Sequence, residues 1–142
     1  MDLSGRLVTP GLVDVHQHLD KSRTRRVVAN PLGTLAGASF GYRVFAESVT
    51  REDIVRRAEE TVVACSERGT VAIRSHTNIE PQTRLRGIEA MLDVRARCAR
   101  RMTIQLVAHV TSEGTSMFVE ARDWLKAAAA AGVNAIGGVP AT

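Results

Sequence analysis

The chain has 142 residues, 44% hydrophobic and 24% charged, which is the balance of a single globular domain and not of a disordered or fibrous segment. Its net charge of +4 comes almost wholly from arginine, yet only three Phe, one Tyr and one Trp are present to stack on bases, and the arginines alternate with Asp and Glu, which argues against a nucleic-acid surface. No apolar run approaches the ~18 residues of a membrane span, no signal-peptide pattern follows Met1, and Cys65 and Cys98 form no CxxC, so the expectation is a cytoplasmic protein without membrane contact.

The first element is the stretch Leu7 to Lys21, LVTPGLVDVHQHLDK. Its apolar residues read as a buried strand broken by the turn pair Pro10-Gly11. Period-two geometry puts His16 and His18 on the same side at the strand's C-terminal end, where two neutral imidazoles make half of a transition-metal site. Asp20 follows, able to orient a histidine or cap the loop, and Lys21, which can reach substrate or solvent. Ser22 to Ser48 reads as a long irregular stretch with Gly33, Gly37 and Gly41 and a short helix near Leu35 to Glu47; it is either a lid over the histidines or a surface loop.

Thr50 with Asp53 three residues on opens a helix whose apolar face is Ile54, Ala58, Val62 and Cys65, stopped by Gly69. A short buried strand, Thr70 to Thr77, carries His76 at its end, with Arg74 read as buried beside it. A helix spans about Thr83 to Arg100, and a third strand, Thr103 to Val110, ends in His109. After a loop, 111 to 115, come a helix near Met117 to Ala131 and a last strand, Val133 to Ala141.

Strands alternate with helices at a spacing of about thirty residues, the repeat of βα units with parallel strands. Right-handed crossovers then put every strand's C-terminal end on one face. All four histidines of the chain, His16, His18, His76 and His109, fall at or just past those ends. The fold class expected is therefore α/β, the first four units of a TIM-type (β/α)8 barrel, with residues 1–142 forming one partial barrel domain that stops after the fourth strand.

The run Pro10-Gly11-Leu12-Val13-Asp14-Val15-His16-Gln17-His18 resembles the first barrel strand of the amidohydrolase superfamily. The His-x-His-Leu-Asp-Lys ending resembles its cytosine deaminase branch, as do LGTLAGA, VTREDIVRRAEETVVACSERGTVAIRSHTNIE, GIEAMLDVRARCARRMTIQLVA and NAIGGVPA. The resemblance runs through the whole chain. It implies a barrel holding one divalent metal ion, zinc or iron, with His16 and His18 as its first two ligands. The remaining ligands and the proton-shuttling glutamate of the family fall past Thr142, so no catalytic residue is expected within this chain. The fourth strand, NAIGGVPAT, offers no lysine to bridge two metals, which favours the mononuclear type. His76 and His109 then become candidate pocket residues, with Asp20 and Lys21. So does Ser112: the cytosine-handling relatives resemble Phe-Pro-Gln-Glu-Gly after the third strand, whereas this chain reads His109-Val110-Thr111-Ser112-Glu113-Gly114, which puts cytosine itself in question.

The implied activity is hydrolysis of C–N bonds other than peptide bonds in a cyclic amidine, nucleobase-like or triazine-like small molecule. The implied partners are that substrate and either a second copy of the chain or the missing half barrel. The competing reading is a non-catalytic half-barrel serving as a binding or assembly module.

Overall fold

The computed structural model describes residues 4–110 and 117–138. Strand β1 (Leu12–Gln17) leads through two short 3₁₀ turns into helix α1 (Leu35–Ser48) and then α2 (Arg51–Ser66). After these come β2 (Thr70–Ile79), α3 (Arg86–Arg97), β3 (Thr103–Val110), α4 (Met117–Ala130) and β4 (Ala135–Gly138). The four strands form one parallel sheet in the order β1-β2-β3-β4. Parallel neighbours must restart at the same end of the sheet, so each connection is a helical crossover.

The β2–β3 ladder runs unbroken from Ala72↔Thr103 to Ile79↔Val110, whereas β1 shifts register against β2 on either side of Val13-Asp14. On β2 and β3 the side chains divide by parity. Ile73, Ser75 and Thr77, with Ile104, Leu106 and Ala108, are buried beneath the helices. Arg74, His76 and Asn78, with Gln105 and His109, take the opposite face. The main core packs Ile54, Ala58 and Val62 of α2 and Met91 and Val94 of α3 against Ile73 and Leu106 of the sheet, with Leu19 closing one end. A second, smaller core joins Ile79, Ile88, Ala108 and Ala128, with Trp124 packed on it.

Helix α2 starts as its sequence suggests. Thr50 Oγ1 accepts a hydrogen bond from the Asp53 backbone N–H at 3.1 Å. The Asp53 carboxylate turns instead to Arg56 and Arg57, at 2.7 and 2.8 Å.

Several expectations are corrected. Leu7 to Val15 is not a buried strand: β1 begins at Leu12, and Leu12, Val13 and Val15 are exposed among the described residues. The helix expected near Leu35 to Glu47 is present, one residue longer, and capped by Thr34 Oγ1, which accepts from the Gly37 N–H. β2 runs two residues further than expected, to Ile79, so His76 lies within the strand. α3 begins at Arg86, because 81–85 form a turn in which Arg84 takes a left-handed φ of 48°. Arg74 is exposed, and its Nε donates to the Gln105 amide oxygen at 3.1 Å rather than pairing with a carboxylate. The result is an open four-stranded parallel α/β sheet, the arrangement of the first half of a TIM-type barrel.

Candidate functional site

The strand ends bring the four histidines together. His16, on β1, stacks on His76 of β2 with ring centroids 4.0 Å apart and planes 16° from parallel. His18, just past β1, lies 5.4 Å from His16, 5.9 Å from His76 and 6.0 Å from His109 of β3. His76 and His109 are 5.9 Å apart, edge to face. In register, His109 lies opposite Gly137 of β4. A Cβ on Gly137 would come 3.0 Å from Val107 Cγ1 and 3.6 Å from His109 Nδ1, so the absent side chain leaves room beside that imidazole.

Burial, and next the Lys21 ammonium, push His18 down to about 4. Burial first, then His16 and Arg74, hold His76 below the ordinary histidine range, and burial with His76 and Lys21 does the same for His109. These three imidazoles are free bases at neutral pH, the form in which histidine binds a metal. The buried Nδ1 atoms of His18, His76 and His109 have no hydrogen-bond partner among the described residues. A donor set of neutral imidazoles suits zinc or iron over a hard cation such as magnesium or calcium. Among the described residues no group of three or more His, Cys, Asp or Glu is arranged to hold an ion. The histidines fit such a metal as part of its ligand sphere.

Beside the cluster is a second constellation. Asp20 is buried and its carboxyl is pushed up to about 6 by that burial. Its Oδ2 accepts from the Asn78 backbone N–H at 3.3 Å. Lys21 Nζ lies 3.0 Å from Glu80 Oε1 and 4.1 Å from the centre of the Tyr42 ring. Tyr42 is buried on α1, and burial raises its phenol, with Asp20 and Glu80 adding to the shift. The turn carrying Asp20 is fastened from behind by Arg57 of α2, whose Nη1 donates to the carbonyls of Asp20 at 3.0 Å and Ser22 at 2.6 Å. A cleft of about 1290 Å³ runs from His18 and His109 past Lys21 and Glu80 to Tyr42 and Arg25. α1 forms its far wall, so of the two readings of the stretch 22–48 an element over the site is the one the structure bears out.

His16, His18, His76, His109, Asp20 and Lys21 therefore gather at one end of the sheet, with His16 on the outer side and Asp20 beneath. Ser112 lies outside the described residues. Sequence reasoning missed Asn78, Glu80, Tyr42 and Arg57. The available signal for the first two was the alternation Arg74-His76-Asn78-Glu80, which continues the period of the strand past Thr77.

No protein-family profile matches the chain. It is 29% identical over 149 aligned residues to N-isopropylammelide isopropyl amidohydrolase of Pseudomonas sp. (strain ADP), covering 100% of this chain and 36% of that protein. It is 32% identical over 109 residues to pterin deaminase of Rhizobium rhizogenes (strain K84 / ATCC BAA-868), covering 75% of this chain and 25% of the relative. The crystal structure of 5-methylcytosine deaminase from Klebsiella pneumoniae liganded with 5-fluorocytosine superposes with a TM-score of 0.82 at 28% identity, covering 91% of this chain and 31% of that one. The chain thus spans about a quarter to a third of the length of these relatives.

Proposed function

Since the homologues of this chain are deaminases and amidohydrolases of the amidohydrolase superfamily, enzymes that act on cyclic nitrogenous compounds, we propose that the protein is a metal-dependent hydrolase of non-peptide C–N bonds, with residues 1–142 forming one partial barrel domain. The observation that carries this reading is the convergence of four histidines at the C-terminal end of a parallel sheet, three of them neutral at physiological pH. In a barrel that end is where chemistry is done.

His16 and His18 would hold one zinc or iron ion. When bound, such an ion would supply Lewis acidity that lowers the pKa of water to about 7. His18 reaches neutral pH as a free base, so ligation there displaces no proton. His109 and Lys21 line the cleft and would orient the polar edge of a ring substrate, Lys21 by donating from its ammonium and His109 from its ring edge. His76 supports His16 through their stack. α1 walls the cleft opposite His18 and Lys21 and would shield a bound ring from water, which strengthens electrostatic contacts to it.

The substrate is a cyclic amidine, nucleobase-like or triazine-like molecule. Cytosine is disfavoured among these: Ser112 stands where the resemblance to the cytosine deaminase branch implies a glutamine, and a site reading a ring N–H discriminates strongly by such a contact.

The test is release of ammonia or amine from N-isopropylammelide, pterin and cytosine by the protein as the cell makes it, assayed with zinc and with iron, beside His16→Ala and His18→Ala. Turnover of one of the first two, lost in both variants, is expected; the 142-residue chain alone is expected to turn over none. Metal-independent turnover would overturn the reading, as would full activity in either variant.

A further inference from the structure

The chain carries seventeen arginines but only two lysines, Lys21 and Lys126. Lys126 is an exposed helix residue, its side chain 68% accessible, loosely paired with Asp123. Lys21 is held very differently. Its ammonium meets Glu80 Oε1 at 3.0 Å on one side and the face of Tyr42 on another, and its side chain is only 24% exposed, toward the cleft. The partner is itself immobilised. Glu80 is buried, and the same Oε1 accepts from the Asn78 side-chain amide. Asn78 in turn donates its backbone N–H to Asp20, the residue next to Lys21. The contacts close into a ring, Asp20 to Asn78 to Glu80 to Lys21, that joins the end of β1 to the end of β2.

We propose that Glu80 is a positioning residue: with Tyr42 it seats the Lys21 ammonium so that its remaining N–H donors face the cleft beside His18 and His109. A free lysine carries four rotatable bonds whose freedom is lost on seating, so an ammonium required in one place gains from being seated in advance. An ammonium has three donors, and Glu80 Oε1 uses one of them. The Tyr42 ring attracts the charge without accepting a conventional hydrogen bond. Among the described residues that leaves donors free on the side of Lys21 that lines the cleft. A purely structural ion pair would have been better served by arginine, which this chain uses almost everywhere else.

The consequence for turnover rests on the hydrolase reading above, whereas the seating of Lys21 does not, and the experiment separates them. The variants are Glu80→Gln, Glu80→Asp, Lys21→Ala and the double variant Lys21→Ala/Glu80→Gln, each made in the protein as the cell makes it. The first readout is the rate of reductive methylation of Lys21 relative to Lys126, followed by mass spectrometry. The second is kcat and KM for amine or ammonia release from N-isopropylammelide and pterin.

In Glu80→Gln the Lys21 to Lys126 labelling ratio is expected to rise severalfold, and kcat to fall about tenfold to a hundredfold, the usual effect of misplacing a group by about 1 Å. Glu80→Asp is expected to recover part of the loss. In the Lys21→Ala background Glu80→Gln is expected to cost nothing further. An unchanged labelling ratio overturns the proposal, as does an equal loss of activity from Glu80→Gln whether or not Lys21 is present. A raised ratio in a protein that hydrolyses neither probe removes the hydrolase reading and upholds the seat. If Glu80→Gln does not fold, Tyr42→Leu opens the other side of the seat and is held to the same labelling ratio.

Discussion

The imidazole of His16 lies flat against that of His76, 4.0 Å between centroids, although the two sit on different strands sixty residues apart. The pairing of Gln17 with Ser75 sets the ends of β1 and β2 side by side and makes the stack possible. His16 is otherwise exposed, so the stack is what orients its ring. A ring-on-ring contact is worth about 0.5–1.5 kcal/mol, which converts to roughly twofold to tenfold in an equilibrium constant. His76→Ala is therefore expected to weaken zinc binding to the chain by about that factor, and His16→Ala by more, as measured by calorimetric titration at pH 7. Equal losses in the two variants would make His76 a ligand rather than a support.

Arg57 is 4% exposed in α2 and spans the gap to the turn after β1, donating to Asp20 O and Ser22 O as well as to Asp53. Replacing it with methionine keeps much of the volume but strands two carbonyls. Arg57→Met is expected to lower stability by about 2–4 kcal/mol in urea unfolding, the range for removing one partner of a buried charged network. A loss below about 0.5 kcal/mol would mean that water replaces the guanidinium without cost.

Burial works against the Asp53 charge, but hydrogen bonds from Arg57 and Arg56 outweigh it and hold the carboxyl below its ordinary value of 3.8. A depressed folded-state pKa contributes stability that is present above the unfolded value and lost as pH falls through the folded one. Asp53→Asn is thus expected to cost about 1 kcal/mol at pH 7, discounted for a side chain about one-third exposed, and the gap should close as pH approaches 3. Urea midpoints of both proteins across pH 3–7 check this. A gap that widens toward acid would reverse the sign and remove the argument.

Gly41 sits where α1 crosses the preceding loop. A Cβ there would collide with the Ala29 carbonyl oxygen and come 3.1 Å from Val28 Cγ1. Backbone cannot swing aside as a side chain can, so Gly41→Ala is expected to lift α1 from the site at a cost of about 1–3 kcal/mol. Amide exchange should quicken in 35–48 and remain unchanged in β2 and β3. Uniform quickening would show that α1 is part of the global unit and not a separable wall.

Much of this was legible in the sequence. β3 has the bounds that its run of apolar and β-branched residues predicts, and the Thr50 cap is where the Thr-x-x-Asp spacing puts it. The four histidines share one end of the sheet because parallel strands and period-two parity leave them no other place. α1 was legible as a helix near 35–47 in spite of Gly37 and Gly41, which lower helix propensity; at Gly41 the close approach to Ala29 explains the glycine, so tertiary contact overrides local preference. The exposure of β1 could not be read at all, because an apolar strand has the same sequence whether or not anything covers it. Glu80 and Tyr42 acquire meaning only from Lys21, and that relation is one of space, with Glu80 fifty-nine positions further along the chain.

β2 is bonded to β1 on one side and β3 on the other, and β1 and β3 reach each other only through it. The cluster of imidazoles is thus assembled by one strand's alignment. A slip of a single residue in β2 would turn His76 under the helices and carry Asn78 and Glu80 away from Asp20 and Lys21. Nothing short-range can form this arrangement early, since its members come from chain segments that must first be closed across long loops, at an entropic cost that local contacts do not repay. Histidine proximity should therefore appear in refolding only with the slowest amide protection of β2. The chemistry of this protein would then be gained and lost as a unit with its central strand.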